Sequence, residues 1–261
     1  MCRATEFGVT YEINPWMSKD RQPNRAAAVD QQAAIVETLR GLGHIIEFVE
    51  PGSSLPDMCF TANAGVVKDK QVFLANLPAE RQPEIPLYRS WFESQGYTAF
   101  QTEHRFGGGG DALWCGNRII AGYGPVTRRS TDIAVHDELR QYFDVEVVSL
   151  QVTDPRFYDL DMSVAILSPT LIGYCADVLD AESIAKLTNL PGVEAFEVSM
   201  DDALAFGCNL ISDCQNVLIS NQAHGLIDEL TKRGFNVLPH NISQFMLAGG
   251  GVRCLALNLP S

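Results

Sequence analysis

The stretch PLYRSWFESQG, YTAFQTE, HRFGGGGD, ALWCGNRIIAGY, residues 86–123, contains the pattern that decides the fold. Its first segment has apolar residues at helical spacing, and its second and fourth have the β-branched and aromatic residues typical of strands. The third segment is a loop rich in glycine. The stretch therefore predicts a helix, a strand, a loop and a second strand, in that order.

The same order of elements returns along the whole chain. The other occurrences are residues 26–67, 130–174, 180–220 and 222–259. Polar or reactive residues recur where each loop meets its second strand: Asn63, Asp111, Asp159 with Asp161, Asn209 and Cys254. Their separations are 48 (63 to 111), 48 (111 to 159), 48 (161 to 209) and 45 (209 to 254).

Units that each expose an apolar face must stack on their neighbours. Five units that close into a ring would place their junctions around one axis, facing a central cavity. We therefore predict an α/β fold, a five-bladed propeller that forms a single domain over residues 1–261. The alternative is a doubly wound sheet, in which the same junctions would line one edge.

Composition excludes several classes of protein. The chain has 261 residues, of which 46% are hydrophobic, so it can bury a large core. Its formal net charge of −13 and its lack of a Lys/Arg-rich stripe argue against nucleic acid as a partner. No stretch of about 18 apolar residues and no signal peptide are present, so we expect no membrane association and a cytoplasmic location.

Cysteines and histidines do not predict a metal site or a disulfide framework. The seven cysteines are an odd number without CxxC spacing, and the five histidines are scattered. Metal ligands are therefore not predicted. The sequence leaves a homo-oligomer open.

Cys254 is the candidate nucleophile. It follows three glycines, residues 249–251, whose missing side chains suit the wall of a ligand site. A cysteine there can act if its thiolate is stabilised. In a strand, neighbouring side chains point to opposite faces, so Arg253 cannot be assumed to help, and a cationic substrate could supply the positive charge. The alternative is a buried structural cysteine.

Three aspartates could hold a cation. Asp159 and Asp161, in FYDLDMSVAIL at 157–167, would share a face at the start of a strand. A guanidinium between them would relieve their repulsion through paired N–H donors. Asp111, after four glycines, could add a further carboxylate. Taken singly, each aspartate could instead be a turn residue.

Five segments together carry a resemblance to a known family. They are INPWM at 13–17, PDMCFTANAGVV at 56–67, FGGGGDAL at 106–113, FYDLDM at 157–162 and GGGVRCLAL at 249–257. With these motifs the chain resembles the guanidino-group-modifying superfamily of arginine deiminases, dimethylarginine dimethylaminohydrolases, amidinotransferases and arginine dihydrolases. It is most similar to the dihydrolase and dimethylarginine hydrolase branch. The resemblance implies a five-bladed α/β propeller and a small cationic guanidino substrate, and the implied chemistry needs no cofactor.

The resemblance also implies a covalent mechanism. The thiolate of Cys254 would attack the guanidino carbon, while Asp111 and Asp161 would hold the guanidinium nitrogens. Asn63 stands where many relatives have an aspartate. In the similar dihydrolases this asparagine goes with release of both nitrogens, which would give ornithine rather than citrulline.

Further residues are implied as contacts of the substrate. By similarity, Arg81 and Arg129 would bind its α-carboxylate, although both could instead be exposed arginines beside helices. Residues in the matching motifs that would line the substrate are Asn14, Phe60 and Gly250.

Two departures from the family pattern concern the acid–base step. Asp159 replaces the histidine of FYHLD, and Gly107 stands where many relatives have a glutamate. A free histidine has a pKa of about 6.5 and a free aspartate one near 3.9, so histidine suits proton transfer near neutral pH. Asp159 could act in its place, or His240 or His104 could reach the site. The protein could also be an impaired guanidino-binding protein, or an amidinotransferase in which an amine replaces water.

Overall fold

In the part of the chain that the structure describes, four small sheets that share one topology form the framework. The computed structural model describes residues 1–124 and 131–259. Each sheet begins with an antiparallel hairpin, whose second strand pairs in parallel with a third strand. A helix connects the hairpin to that third strand, as parallel pairing requires. The prediction of an α/β protein is confirmed.

The elements follow one another in a regular series. Helix α1 (Arg25–Gly41) comes first. The first sheet comprises β1 (Gly65–Lys68), β2 (Gln71–Leu74), α2 (Glu84–Ser94) and β3 (Thr98–Gln101). The second comprises β4 (Ala112–Cys115), β5 (Arg118–Tyr123), α3 (Ala134–Phe143) and β6 (Glu146–Gln151).

The second half of the chain repeats this order. The third sheet comprises β7 (Val164–Ser168), β8 (Leu171–Tyr174), α4 (Ala181–Thr188) and β9 (Glu194–Glu197). After the short helix α5 (Met200–Leu204), the fourth comprises β10 (Ile211–Ser212), β11 (Asn216–Ser220), α6 (His224–Lys232) and β12 (Asn236–His240). Helix α7 (Ser243–Met246) follows. None of the described helices is both long and apolar enough to cross a membrane.

The middle strand of each sheet, which pairs on both sides, has a continuous run of buried residues, and outer strands such as β1 and β6 are partly buried as well. In β5, the four residues from Ile119 to Gly122 are all buried, and β2, β8 and β11 show similar runs. The third strands β3, β9 and β12 have no fully buried residue. Continuous apolar runs therefore mark the middle strands, as expected for strands with both faces covered.

Short 3-10 turns carry most of the polar junction residues. These turns are Thr61–Ala64, with Asn63; Gly108–Gly110, followed by Asp111; Leu160–Met162, with Asp161; and Arg253–Leu255, with Cys254. The predictions that Asp159 and Asp161 begin a strand and that Cys254 lies on one are therefore wrong. At the third turn, the N–H groups of Met162 and Ser163 donate back to the carbonyls of Asp159 and Leu160 instead of to a neighbouring strand.

The ends of the chain also differ from the predicted repeat. Residues 44–50, predicted as a strand, contain a single parallel bridge between Cys2 and Val49. The backbone N–H of Val49 donates to the carbonyl of Met1. Residues 252–259, also predicted as a strand, form the last 3-10 turn and an extended segment without ladder pairing. Among the described residues, these two segments therefore do not make a sheet like the other four.

Candidate functional site

The turns before the sheets meet at one place. Asn63 donates from Nδ2 to the carbonyl of Gly107, at 2.7 Å, and the N–H of Leu160 donates to Oδ1 of Asp111, at 2.9 Å. The hydroxyl of Thr61 donates to the carbonyl of Leu255, at 2.9 Å. These bonds join the turns of the first three sheets to one another and to the turn that carries the cysteine.

The sulfur side of the site consists of Cys254, Asn209, Asp161 and Arg253. Sγ of Cys254 lies 3.1 Å from Nδ2 of Asn209 and 3.8 Å from Oδ2 of Asp161. Nε of Arg253 lies 3.9 Å from the same Asp161 oxygen. The prediction that Arg253 lies on a strand is wrong, because the residue lies in a 3-10 turn, where neighbouring side chains do not alternate as in a strand.

Burial and nearby charge set the protonation of the thiol. Burial, followed by the charge of Asp161, raises the pKa of Cys254 well above its usual range, while hydrogen bonds from Gly251 and Asn209 lower it. Burial lowers the pKa of Arg253, whereas Asp161 and Cys254 raise it. A second cation beside Asp161 would therefore favour the thiolate.

The acid side of the site consists of Asp111, Asp159, Thr131 and Asn63. A Cβ atom built on Gly107 would lie 2.6 Å from Oδ2 of Asp111 and 3.2 Å from Oδ1 of Asp159, so both carboxyl groups border the same small space. The Thr131 hydroxyl donates to Oδ2 of Asp111 at 2.6 Å. Burial, followed by the charge of Asp159, raises the pKa of Asp111 well above its usual range. A proton is therefore favoured on Asp111.

Arg81 is buried and bonded to protein groups, so the alternative of an exposed arginine is wrong, while its role as a clamp for the substrate carboxylate stays a prediction. The side chain is fully buried, and its Nε and Nη2 each donate at 2.8 Å to the carboxylate of Glu84. Nη2 also donates to the carbonyl of Asp57. A guanidinium held in this way is engaged by protein acceptors.

The same arginine fixes the direction of the Asn63 amide. Nη1 of Arg81 donates to Oδ1 of Asn63 at 2.9 Å. Because arginine can only donate, Oδ1 must face it, and Nδ2 must face the other way. There Nδ2 donates to Oδ2 of Asp159 at 3.0 Å. Arg81 is thus connected to Asp159 on the acid side through hydrogen bonds to and from Asn63.

The three glycines before Cys254 pack against residues that are predicted from the sequence to contact the substrate. Phe60 lies directly against Gly250, where a Cβ atom would overlap its ring. Asn14 donates from Nδ2 to the carbonyl of Ala248 at 3.0 Å. Gly249 has φ of 82° and would meet Tyr158 and Asn14 if it had a side chain, so only glycine fits. Contact of Asn14, Phe60 and Gly250 with substrate stays a prediction.

The remaining predicted residues lie elsewhere. Arg129 falls outside the described residues. His104 pairs with Asp132 and Glu138, and His240 ends β12 opposite Ser220. Neither histidine is therefore placed as an acid–base group beside Asp159. Within residues 1–124 and 131–259, no group of three or more His, Cys, Asp or Glu side chains could hold a metal ion.

Three contacts at the site were not assigned from the sequence. The repeat placed Asn209 at a junction between a loop and a strand, but did not predict its contact with Cys254. Arg253 was set aside by the strand prediction. Thr131 had no signal in the sequence, since its bond to Asp111 depends on how the segment before α3 packs onto the second sheet.

Comparisons with known proteins agree with this geometry. The family model described as N,N dimethylarginine dimethylhydrolase, eukaryotic, matches residues 8–260. The N(G),N(G)-dimethylarginine dimethylaminohydrolase of Mycobacterium tuberculosis is 35% identical, over 97% of this chain and 82% of that protein. The bifunctional arginine dihydrolase/ornithine cyclodeaminase ArgZ of Synechocystis is 33% identical over 99% of this chain, which spans only 37% of that larger protein.

Solved structures show the same fold. The N-terminal domain of ArgZ, an arginine dihydrolase from cyanobacteria solved with its product, superposes with a TM-score of 0.92. It is 33% identical, over 98% of this chain and 95% of that domain. A variant of that domain, solved covalently bonded to a reaction intermediate, has a TM-score of 0.91, 32% identity and coverage of 98% and 94%. The family match and these identities show that the chain belongs to the dimethylarginine dimethylaminohydrolase family of guanidino-modifying hydrolases.

Proposed function

We propose that this protein hydrolyses the guanidino group of arginine or an arginine derivative through a covalent intermediate on Cys254. One observation carries the proposal. The buried sulfur of Cys254 shares its site with the carboxyl groups of Asp111, Asp159 and Asp161, which arrive on the turns of two different sheets. A planar cation with several N–H donors matches such a set of acceptors.

The electrostatics of the site favour a cationic substrate. Ionising a buried carboxyl group is costly unless an opposite charge lies nearby. Asp161 has Arg253 beside it, whereas Asp111 accepts from the neutral donors Thr131 and Leu160. A guanidinium would stabilise the ionised acids and the thiolate together. The nucleophile is then charged when the substrate is in place.

The chemistry needs an attack, a departure and a hydrolysis. The thiol of Cys254 gives its proton to the Asp111–Asp159 pair, and the thiolate forms a bond to the guanidino carbon while the bond from that carbon to one nitrogen breaks. The leaving nitrogen takes a proton from the Asp111–Asp159 pair and departs as ammonia or an amine. Water then adds to the amidino-thioether carbon, gives a proton back to the pair, and the carbon–sulfur bond breaks.

The pair of acids takes the part of the family histidine in this proposal. Two carboxyl groups that share one small space can hold one proton between them, which provides a donor and an acceptor in the same site. The fixed Nδ2 of Asn63 makes Oδ2 of Asp159 an acceptor. Asp111, whose pKa is raised, is the member that favours the proton.

The substrate and the product are proposed as a class. Arginine and methylated arginines fit the relatives, which include a dimethylarginine hydrolase and an arginine dihydrolase. Loss of one nitrogen would give citrulline, and loss of both, with the guanidino carbon leaving as carbon dioxide, would give ornithine. We further propose that the four sheets and the two chain ends form a five-bladed propeller as one domain, with Cys254 on the turn of the fifth blade.

A second candidate is a guanidino-binding protein without turnover. The observation that favours it is Asp159, since no histidine stands at the position of the family's acid–base group. Such a protein would bind arginine through the same carboxylates. It would not form product or a covalent intermediate.

A substrate panel separates the candidates. The protein would be incubated with arginine, methylarginines, citrulline, agmatine and guanidino acids in water enriched in oxygen-18, with Cys254→Ala as the matched control. We expect a labelled ureido product, or ornithine, from the native protein alone. Acid quenching should leave the Cys254 peptide heavier by the substrate minus its leaving amine.

Two results would overturn the hydrolase. Thermal stabilisation by arginine with no product and no mass increment on Cys254 would support the binding protein. A product that carries an added amine instead of labelled oxygen would indicate amidinotransfer.

A further inference from the structure

The side-chain amide of Asn209 is fixed by two successive backbone N–H groups, those of Arg253 and of Cys254 itself. The side chain is fully buried. Its Oδ1 accepts from the N–H of Arg253 at 3.0 Å and from the N–H of Cys254 at 3.3 Å. Because both backbone groups are donors, Oδ1 must face them, and the NH₂ group has only one direction left. That direction is the sulfur of Cys254, at 3.1 Å.

Gly251 makes the approach of this amide possible. A Cβ atom built on Gly251 would lie 2.5 Å from Oδ1 of Asn209 and 3.0 Å from its Cβ. Any side chain there would push the amide away from the sulfur. A hydrogen bond from Gly251 also lowers the pKa of Cys254. Asn209 and Gly251 therefore act together on the same atom.

The two neighbours of the sulfur favour opposite protonation states. Oδ2 of Asp161 accepts a hydrogen bond from the thiol of Cys254, and the negative charge of Asp161 disfavours the thiolate. The NH₂ group of Asn209 can only donate, so it interacts best with a charged sulfur. Once the proton has left, the amide remains, together with the hydrogen bond from Gly251, to hold the anion in place.

We propose that Asn209 is a catalytic residue that stabilises and orients the Cys254 thiolate, with Gly251 as the position that lets it approach. This inference rests on the proposed function, in which Cys254 is the nucleophile. A purely structural asparagine would need only its Oδ1, which links the turn to the fourth sheet. A catalytic one needs its Nδ2.

Alkylation of Cys254 distinguishes these roles without requiring turnover. Iodoacetamide reacts with the thiolate, so its rate at pH 8 measures the thiolate population. Asn209→Asp keeps the shape and the acceptor for both backbone N–H groups, which favour its ionised form, but places a negative charge beside the sulfur. Asn209→Ala removes the donor and adds no charge. We expect alkylation about tenfold slower in Asn209→Ala and about a hundredfold slower in Asn209→Asp.

The order of the two variants is the test. A structural role predicts the reverse order, with Asn209→Asp close to the native protein and Asn209→Ala the more perturbed, and that order would overturn the proposal. Peptide mass spectrometry follows Cys254 alone, and the exposed Cys214 in the same sample is the internal reference. If Asn209→Ala does not fold, the comparison of Asn209→Asp with the native protein still decides. Absence of turnover with the expected order would reject the hydrolase only.

Discussion

The two sides of the site differ in how they treat charge. On the sulfur side, an amide donor and the arginine at position 253 lie around Cys254 and Asp161, so negative charge has nearby compensation. On the acid side, Asp111 accepts from a hydroxyl and a backbone N–H, both of them neutral, and faces a second carboxyl group. The sulfur side is therefore suited to an anion, and the acid side to a proton.

This difference indicates that two groups of residues share two tasks, stabilising the thiolate and carrying the proton, that a single histidine could perform. A histidine near the sulfur can serve both as the cation beside the thiolate and as the proton carrier. In the proposed mechanism, Arg253 and Asn209 take the first part, and Asp111 with Asp159 takes the second. Removing one group from each side in turn tests whether the two parts are separate.

The largest effect is expected on the sulfur side, from Cys254→Ser. A serine hydroxyl has a much higher pKa than a thiol, and the nearby positive charge does not lower it enough to form the alkoxide. Turnover should therefore fall by about 10⁴-fold or more. Product formation measured by mass spectrometry checks this. Arginine binding by calorimetry should persist, because the carboxylates are untouched; loss of binding as well would mean that the sulfur side also holds the substrate.

A smaller loss is expected on the acid side, from Asp159→Asn. The amide cannot carry a proton between steps, but it keeps the volume and can still accept from Asn63. We expect kcat to fall by about 10³-fold, within the range for general acid–base groups. Steady-state kinetics provides the check.

Asp159→His is the informative counterpart of that variant. It restores the family's residue at this position. A gain of several orders of magnitude over a native protein that has no measurable activity would show that Asp159 does not work as an acid–base group. The protein would then be a guanidino-binding protein, and the proposed division of these two tasks would be wrong.

Sequence spacing predicted which residues meet, but not how they are held. The regular separation of Asn63, Asp111 and Asp159, and of Asp161, Asn209 and Cys254, follows from the repeat of similar units along the chain. The family prediction, which used the same motifs, is confirmed by the match over residues 8–260. The 3-10 conformation of the turns could not be predicted from the alternation of side chains in a strand. It depends on contacts with turns that are distant in the sequence.

The fate of Arg81 shows a second limit. Its three-residue spacing from Glu84 is a local signal for an ion pair, and the structure contains that pair. The resemblance to relatives pointed instead to a substrate clamp. The structure shows the ion pair, because a fully buried guanidinium needs protein acceptors, and the clamp stays a prediction.

A moderate effect on stability is expected from His136, which lies behind the acid side. Its Nε2 bonds to the carbonyl of Gly122, whose N–H donates to the carbonyl of Asp111, and its Nδ1 contacts Oγ of Ser149. Burial lowers its pKa from 6.5 to about 4. Because the unfolded chain takes up the proton first, the free energy of unfolding should fall by about 3 kcal/mol as pH drops from about 6.5 to about 4.

Urea unfolding at a series of pH values measures that slope. His136→Gln is the matched control, since its amide can donate to Gly122 and accept from Ser149 without titrating. The difference between the two profiles isolates this residue from the other histidines. Parallel profiles would mean that His136 is accessible to protons in the folded protein.

The smallest effect is a proton released when a guanidinium binds. The pKa of Asp111 is raised, so in the window above the ordinary aspartate range its carboxyl group still holds a proton that a cation would displace. Affinity for arginine should therefore increase with pH in that window, by at most about tenfold per pH unit for one proton. Calorimetry on Cys254→Ser, in buffers of different ionisation enthalpy, counts the protons without interference from turnover. Asp111→Asn should abolish the release if the proton comes from the acid side; if release persists there, it comes from another group, and the acid side does not store the proton.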